Sequence, residues 1–244
     1  MAKRSWIAVS CAVVMVAGLA AVAGCGDDDD GGGDADASVT GIKATGIVTD
    51  GASGPPLAGM EVCIIDFPAV PCATSDATGR FVVSGIPKDV KFNMSFTKQG
   101  YYPRIFFFAA KTADFQLSVF VQTTAMIQAQ AAAAGQTLDP QKGIVAFQVP
   151  GALAGTKFSL SPMSGSGPYY LNAQGTVDLT LMATPPNSQI ALGAFVNVAP
   201  GNYVGTVMPP SGVVCSYAVP DALPNTSQIK VFAGYLTQNA ATCQ

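Results

Sequence analysis

The cysteines are the residues of this chain whose chemistry is easiest to identify. The sequence of 244 residues has six cysteines and no histidine. Without histidine the chain has no Ser-His-Asp or Cys-His nucleophile pair and no histidine ligand for a catalytic zinc ion. Thiols remain available for acylation, metal binding or disulfide formation, and their positions decide among these uses.

Cys25 ends an uncharged run from Ser5 to Gly24 that follows Lys3 and Arg4. A cationic start before an apolar segment is typical of a secretion signal. The residues Val22-Ala23-Gly24-Cys25 resemble the lipobox of bacterial lipoproteins, in which an aliphatic and two small residues precede the cysteine. The resemblance implies a signal peptide over residues 1–24, a lipid on Cys25 and attachment to the bacterial cell envelope, which we expect to be at the outer membrane. The alternative is a retained helix that spans the membrane.

Residues 25–40 carry six aspartates and four glycines after the cysteine. Like charges repel and glycine adds no stiffness, so this segment is predicted to be a disordered tether. A calcium loop is the alternative, but the ligand spacing and distal glutamate of an EF-hand loop are missing. From Ser38 onward there are 10 basic and 9 acidic residues, so no basic face for nucleic acid is expected.

The four cysteines beyond the tether are predicted to form disulfides, because the chain is expected to be exported. Four cysteines allow three pairings, and sequence proximity favours Cys63–Cys72 and Cys215–Cys243. A zinc site would show close Cys-x-x-Cys spacing, which is absent. No metal and no cofactor is therefore predicted.

The acids beyond the tether are the remaining candidates for catalysis. Most of them lie at turns rich in glycine and proline, where an acid more often caps the turn than takes part in chemistry. We therefore predict that the chain is not an enzyme, and keep a glycosidase or peptidase that uses carboxylates alone as the least favoured alternative. The nine acids are Asp50, Glu61, Asp66, Asp76, Asp89, Asp114, Asp139, Asp178 and Asp221.

The elements that must position these residues are predicted to be short β-strands. Short apolar stretches bounded by glycine and proline recur at intervals of roughly 8–12 residues, which is typical of sandwiches. The second half repeats the first in three blocks, which indicates a duplicated domain. The blocks are Gly46-Ile47-Val48 with Gly143-Ile144-Val145, Leu57-Ala58-Gly59 with Leu153-Ala154-Gly155, and Gly79-Arg80-Phe81-Val82 with Gly193-Ala194-Phe195-Val196.

The blocks of the first half, "GIVTD", "GPPLAGMEVCII", "SDATGRFVVSGIP" and "KQGYYP", resemble the carboxypeptidase regulatory-like domain, which is also called transthyretin-like or prealbumin-like. The resemblance covers residues 41–121 and implies a seven-stranded β-sandwich that serves as an accessory or binding module. Residues 141–244 are predicted to form a second, divergent sandwich, with about 18 extra residues around "SGSGPYYLNAQGTVDL". Residues 122–140 are predicted to be a linker with one short Ala-rich helix.

The predicted fold class is therefore all-β, with two tandem Ig-like or prealbumin-like sandwiches. We expect each sandwich to be a separate unit, with no sheet running through both. The predicted function is that of a lipid-anchored, non-catalytic envelope protein that presents its sandwiches to a polysaccharide or to another envelope protein. The alternative is a structural spacer or adhesin subunit of an envelope assembly. The candidate contact residues are Tyr101, Tyr102, Tyr169 and Tyr170, because aromatic side chains on loops offer flat faces to sugars or proteins.

Overall fold

A computed structural model describes residues 41–151, 153–172, 176–186, 190–217, 220 and 223–244. The predicted signal peptide, the lipidation site Cys25 and the Asp/Gly tether lie outside these residues. The described residues form sixteen strands and one helix. The first half contains β1 Ile42–Asp50, β2 Glu61–Ile64, β3 Ala73–Thr74, β4 Arg80–Ile86, β5 Phe92–Thr97, β6 Arg104–Phe108 and β7 Phe115–Val121. The helix α1, Thr124–Ala133, is followed by β8 Gly143–Pro150, β9 Lys157–Ser161, β10 Ser166–Leu171, β11 Val177–Asp178, β12 Ile190–Val198, β13 Gly201–Met208, β14 Cys215–Tyr217, β15 Thr226–Val231 and β16 Leu236–Cys243.

The first half is a sandwich of two sheets, in the orders β4-β1-β7 and β6-β5-β2-β3. Its core consists of aliphatic and aromatic side chains from the two facing sheets. The rings of Phe81 and Phe96 meet edge to face, with 5.6 Å between centroids, and join the sheets at the centre. Phe92 and Phe108 stack at 5.1 Å near one end.

The second half repeats this arrangement with the sheets β12-β8-β16 and β15-β13-β9. In each half the first strand pairs antiparallel with the strand of the third block and parallel with the last strand. The core around Phe147 is separate from the first, and the Phe147 ring stacks on Phe158 at 5.1 Å. The predicted fold class, two tandem β-sandwiches with a short helix between them, is confirmed.

The Leu-Ala-Gly blocks make the same turn in both halves. Gly59 has φ +72° and Gly155 has φ +83°, a conformation that glycine adopts without strain. The Gly59 N–H donates to the carbonyl of Ser75 at 2.8 Å, and the Gly155 N–H donates to that of Thr184 at 2.8 Å. Ser75 and Thr184 are therefore counterparts.

The third pair of sequence blocks falls on the equivalent strands β4 and β12. The residues that it aligns do not occupy equivalent positions in the two halves. Gly79 lies in a turn with φ +73°, whereas Gly193 lies inside β12, opposite Phe147. Gly79 follows Ser75 by four residues, and Gly193 follows Thr184 by nine. The predicted extra segment forms β10 and β11, which add a hairpin to the free edge of β12.

One long sheet nevertheless passes through both halves, in the order β11-β10-β12-β8-β16-β6-β5-β2-β3. Strands β6 and β16 pair in parallel, and the Leu236 N–H donates to the carbonyl of Pro103 at 2.9 Å. The expectation that no sheet would join the halves is wrong. The physical reason is that each sandwich alone would leave an edge strand with unpaired N–H and C=O groups, which this contact satisfies.

The two three-stranded sheets lie on opposite faces of this shared sheet. One face carries Arg104, Ile144 and Leu236, and β7 and α1 lie against it; we call it the helix face. The other face of the second half carries Val145 and Phe147, which pack on β13 and β15. The shared sheet is therefore covered on one face by the first half and the helix, and on the other by the second half.

Helix α1 begins where the Thr123 hydroxyl accepts the N–H of Met126 at 3.2 Å, and it ends at Ala133, two residues before Gly135, which has φ +70°. Ile127 and Ala131 are its buried side chains. Ile127 packs on Ile144 and Leu236 of the shared sheet. The predicted Ala-rich helix is confirmed. None of the described helical residues belongs to a helix that is long and apolar enough to cross a membrane.

The two disulfides join the predicted pairs. Cys63 is bonded to Cys72 at a sequence separation of 9, and Cys215 is bonded to Cys243 at a separation of 28. Cys215 and Cys243 lie opposite each other in the β14–β16 pair, so the second bond holds the end of the last strand.

Cys243→Ser is expected to lower the melting temperature more than Cys72→Ser does. The chain-entropy relation gives roughly 3.5 kcal/mol for closing the longer loop and roughly 2.7 kcal/mol for the shorter one. Thermal unfolding followed by circular dichroism, with each variant as the control for the other, measures the order. A larger loss with Cys72→Ser, or a crosslink between Cys63 and Cys215 in non-reducing peptide maps, contradicts this account.

Candidate ligand-binding groove

A groove lies on the helix face of the shared sheet, at the place where β7 ends and α1 begins. It encloses about 150 Å³. Ile127 and Ala131 of the helix, with Ala134 just after it, form one wall. Residues of β8, β10, β12 and β16 form the floor and the other wall. Arg104 of β6 and Phe120 of β7 close one end. We call this cavity the corner groove; both halves of the chain build it.

Arg104 is the one charged residue among the described residues that line the corner groove, and it is 4 % exposed. Its Nη1 donates to the carbonyl of Phe120 at 2.5 Å, and its Nη2 donates to Oε1 of Gln122 at 3.3 Å. The guanidinium carbon lies 4.6 Å from the centroid of the Phe120 ring. Burial lowers the pKa of Arg104 to about 10, which leaves the guanidinium charged at neutral pH.

No carboxylate neutralises Arg104 within the described part of the chain. The two ion pairs found there join Lys142 to Asp139 at 3.6 Å and Lys230 to Asp66 at 3.4 Å. A buried cation is ordinarily paired with an anion, because removing it from water is costly. The described hydrogen bonds of Arg104 go only to neutral oxygens.

Amide side chains supply the other polar groups of the corner groove. Nε2 of Gln238 donates to Oε1 of Gln148 at 3.0 Å across β16 and β8. Gln122 and Gln130 line the groove from the helix side. The lining therefore combines one guanidinium with four amides, which can both donate and accept hydrogen bonds.

The rest of the strand wall is apolar and half-exposed. Leu171, Val177 and Leu192 come from the inserted hairpin and from β12, and Tyr169 of the same hairpin stands beside them. The inserted segment therefore contributes part of this cavity. Of the four tyrosines predicted as contact residues, Tyr169 is the one that lines it.

Tyr170 points to the opposite face and is 2 % exposed. Its hydroxyl oxygen accepts the N–H of Phe158 at 3.2 Å, and its ring stacks on that of Phe158 at 6.0 Å. Burial raises the pKa of Tyr170. Successive residues of a strand face opposite ways, so Tyr169 and Tyr170 cannot share a surface. Tyr170 belongs to the second core and presents almost no surface to a ligand.

Tyr101 and Tyr102 lie between β5 and β6 and are half-buried. The Tyr102 N–H donates to the carbonyl of Gln122 at 2.9 Å, and its side chain packs on the Ile127 cluster under the helix. Burial raises the pKa of Tyr102. Lys98 Nζ lies 5.7 Å from the centroid of the Tyr101 ring. Neither tyrosine lines the corner groove, so ligand contact by this pair stays a prediction.

A second cavity lies on the opposite face of the shared sheet, where Phe107 of β6 meets β13 and β15. Its volume is about 530 Å³. Lys230 lines it and is held in the ion pair with Asp66. Its cation is therefore already neutralised, in contrast to that of Arg104.

None of the described acids lines either cavity. Asp76 instead holds a turn, because its Oδ1 accepts hydrogen bonds from the N–H and hydroxyl of Thr78 and from the N–H of Arg80. The hydroxyl bond from Thr78 is the largest cause of the lowered pKa of Asp76. Glu61 lies close to Cys63 and Cys72, but these sulfurs are bonded to each other and are not free to bind a metal as thiolates.

No protein-family model and no curated protein matches this chain. Similar solved structures include a cohesin–X-dockerin complex from Acetivibrio cellulolyticus, at 22% identity over 33% of this chain and 57% of that one, with a TM-score of 0.29. The Bacillus anthracis TIE protein is 12% identical over 83% of this chain and 34% of its own, with a TM-score of 0.26. A streptococcal ancillary pilin is 15% identical over 83% and 63%, with a TM-score of 0.25. The chain spans less than two thirds of each of these structures, and nothing about its function follows from similarities of this size.

Sequence reasoning missed Arg104 and the four glutamines. The available signal was a lone cation at the start of the apolar strand Arg104–Phe108. That pattern predicts a strand end but does not reveal that β16 of the other half pairs with the same strand.

Asp76→Asn is expected to destabilise the protein at pH 7, because the carboxylate of Asp76 accepts three hydrogen bonds in the native turn. The pKa of Asp76 is lower in the folded state than its ordinary value of 3.8. Its contribution is therefore present above that value and is lost as the pH falls through the folded pKa. Urea unfolding at pH 7 and at strongly acidic pH measures this, with Asp89→Asn as the matched turn control. A deficit that persists unchanged in acid would contradict this assignment.

Proposed function

We propose that this chain is a lipid-anchored, non-catalytic protein of the bacterial cell envelope that binds a polysaccharide or another envelope protein. The lipobox residues that end at Cys25 support the anchor, and the two disulfides are typical of exported proteins. The proposed order is an anchor at Cys25, a tether over residues 25–40 and a pair of sandwiches that hold the binding surface.

The corner groove carries the binding role. It is concave, it is built from both halves, and it combines an apolar wall with a small set of polar groups, which is the usual composition of a ligand site. Tyr169 adds a half-buried aromatic side chain from the inserted hairpin. None of the described acids lines the groove, so the groove offers contacts for binding and no carboxylate pair for hydrolysis.

A structural spacer is the second candidate, and the shared sheet favours it. The parallel pairing of β6 with β16 joins the sandwiches through backbone hydrogen bonds instead of through a flexible linker alone. A protein that only holds its neighbours apart needs this stiffness and needs no ligand. Binding to the corner groove distinguishes the two candidates.

Cys25→Ser is expected to abolish lipid attachment and to leave the precursor uncleaved, because the thiol is the group that would be acylated. Mass spectrometry of the N-terminal peptide and partition into a detergent phase provide the measurements. Cys11→Ser, within the predicted signal, is the control and should mature normally. Normal processing and detergent partition of Cys25→Ser would refute the lipid anchor.

Tyr169→Ala is expected to reduce, by tenfold or more, the capture of envelope glycan or envelope protein by the purified full chain. The reason is the loss of an aromatic contact at the corner groove. Tyr235→Ala is the matched control, because Tyr235 is a half-buried tyrosine outside the residues that line the groove. Equal capture by the wild-type and Tyr169→Ala chains, or no specific capture by either, favours the spacer.

A further inference from the structure

We infer that the corner groove binds a monocarboxylate with an aliphatic chain, and that Arg104 holds the carboxylate. This inference rests on the binding role proposed for the groove and adds the chemical class of its ligand. The apolar wall of Leu171, Val177 and Leu192 would cover the chain on one side, and Ile127 and Ala131 of the helix would cover it on the other.

The charge of Arg104 is the first observation that points to an anion. The residue is 4 % exposed, and its described partners are the neutral oxygens of Phe120 and Gln122. A guanidinium has five N–H donors, and the described bonds engage two of its nitrogens. A carboxylate matches the planar fork of the remaining donors and would offset the cost of burying an unpaired cation.

The hydrogen bonds of Arg104 do not explain the choice of arginine at this position. The ring of Phe120, 4.6 Å from the guanidinium carbon, favours a cation but does not neutralise it as a carboxylate would. The bonds to Phe120 and Gln122 hold the end of β7 against β6, but a neutral donor such as glutamine could make contacts of that kind. Nothing in these two bonds requires a positive charge. Arg104 lines the corner groove, where its positive charge would bind an anion that enters.

The composition of the rest of the groove restricts the anion to a single charge on an apolar body. Arg104 is the one cation among the described lining residues, so a second negative group would be buried without a partner. The amides of Gln148 and Gln238 already bond to each other at 3.0 Å. The wall formed by Leu171, Val177 and Leu192 is aliphatic, and it is half-exposed when no ligand covers it. Burying such surface against an alkyl chain is favourable.

Octanoate is the probe for the test, with octanol and octylamine as neutral and cationic analogues of the same chain length. Isothermal titration of the purified full chain should show octanoate binding at least tenfold more tightly than octanol, and no binding of octylamine. Arg104→Gln should weaken octanoate binding at least tenfold and leave octanol binding unchanged. Thermal melting of each variant establishes that it is folded.

Leu192→Asp provides a second variant that leaves Arg104 in place. It adds a charged group to the half-exposed apolar wall that would cover the alkyl chain, and so should abolish octanoate binding in a folded protein. Val82→Asp is its matched control, because Val82 is a strand residue that is 54 % exposed and lies outside the groove lining. Val82→Asp should bind octanoate as the wild-type chain does.

The outcomes separate this inference from the proposed function. Equal affinity for octanoate and octanol, or octanoate binding that survives both Arg104→Gln and Leu192→Asp, overturns the carboxylate specificity. If octanoate does not bind while Tyr169 remains necessary for envelope capture, the ligand class is wrong and the binding function stands. If neither octanoate binding nor Tyr169-dependent capture is observed, both proposals fail.

Discussion

The parallel pairing between β6 and β16 is the contact on which the rest of this structure depends. It places Arg104 beside Leu236 and Phe106 beside Gln238, so residues from two separate sandwiches share one sheet face. A strand at the edge of a sheet has unpaired backbone groups, and this contact supplies partners to both edges. Without it the sandwiches would be connected only through residues 122–140, and the corner groove would have neither its charged end nor a fixed shape.

The junction between the halves does not follow the symmetry of the duplication. Strands β1, β2, β4, β5, β6 and β7 correspond in pairing to β8, β9, β12, β13, β15 and β16. The junction joins the sixth strand of one copy to the last strand of the other, so the copies meet through different strands and stay asymmetric. The asymmetry leaves β7 and α1 on one face of the shared sheet and β15 on the other, with a different cavity in each corner.

The sequence predicted the local features well, because their causes are local. Gly59 and Gly155 mark the repeated turn, the alanines within residues 122–140 mark the helix, and the disulfides close the pairs nearest in sequence. The junction between the halves could not be predicted. It is made by backbone groups, which every residue has, and no residue type at positions 104–106 or 236–238 marks the pairing. The cavity that Arg104 lines together with residues of the second half follows from that junction, and so it was missed as well.

Hydrogen exchange at the Leu236 amide tests the central claim most directly, because this N–H donates to the carbonyl of Pro103 in the other half. If the halves form one sheet, this amide is protected to the same degree as that of Ile144, which lies inside the second half and donates to the carbonyl of Tyr235. Exchange of the Leu236 amide at the rate of an exposed turn, with Ile144 still protected, would show that the sandwiches separate in solution and that the corner groove is not a fixed site.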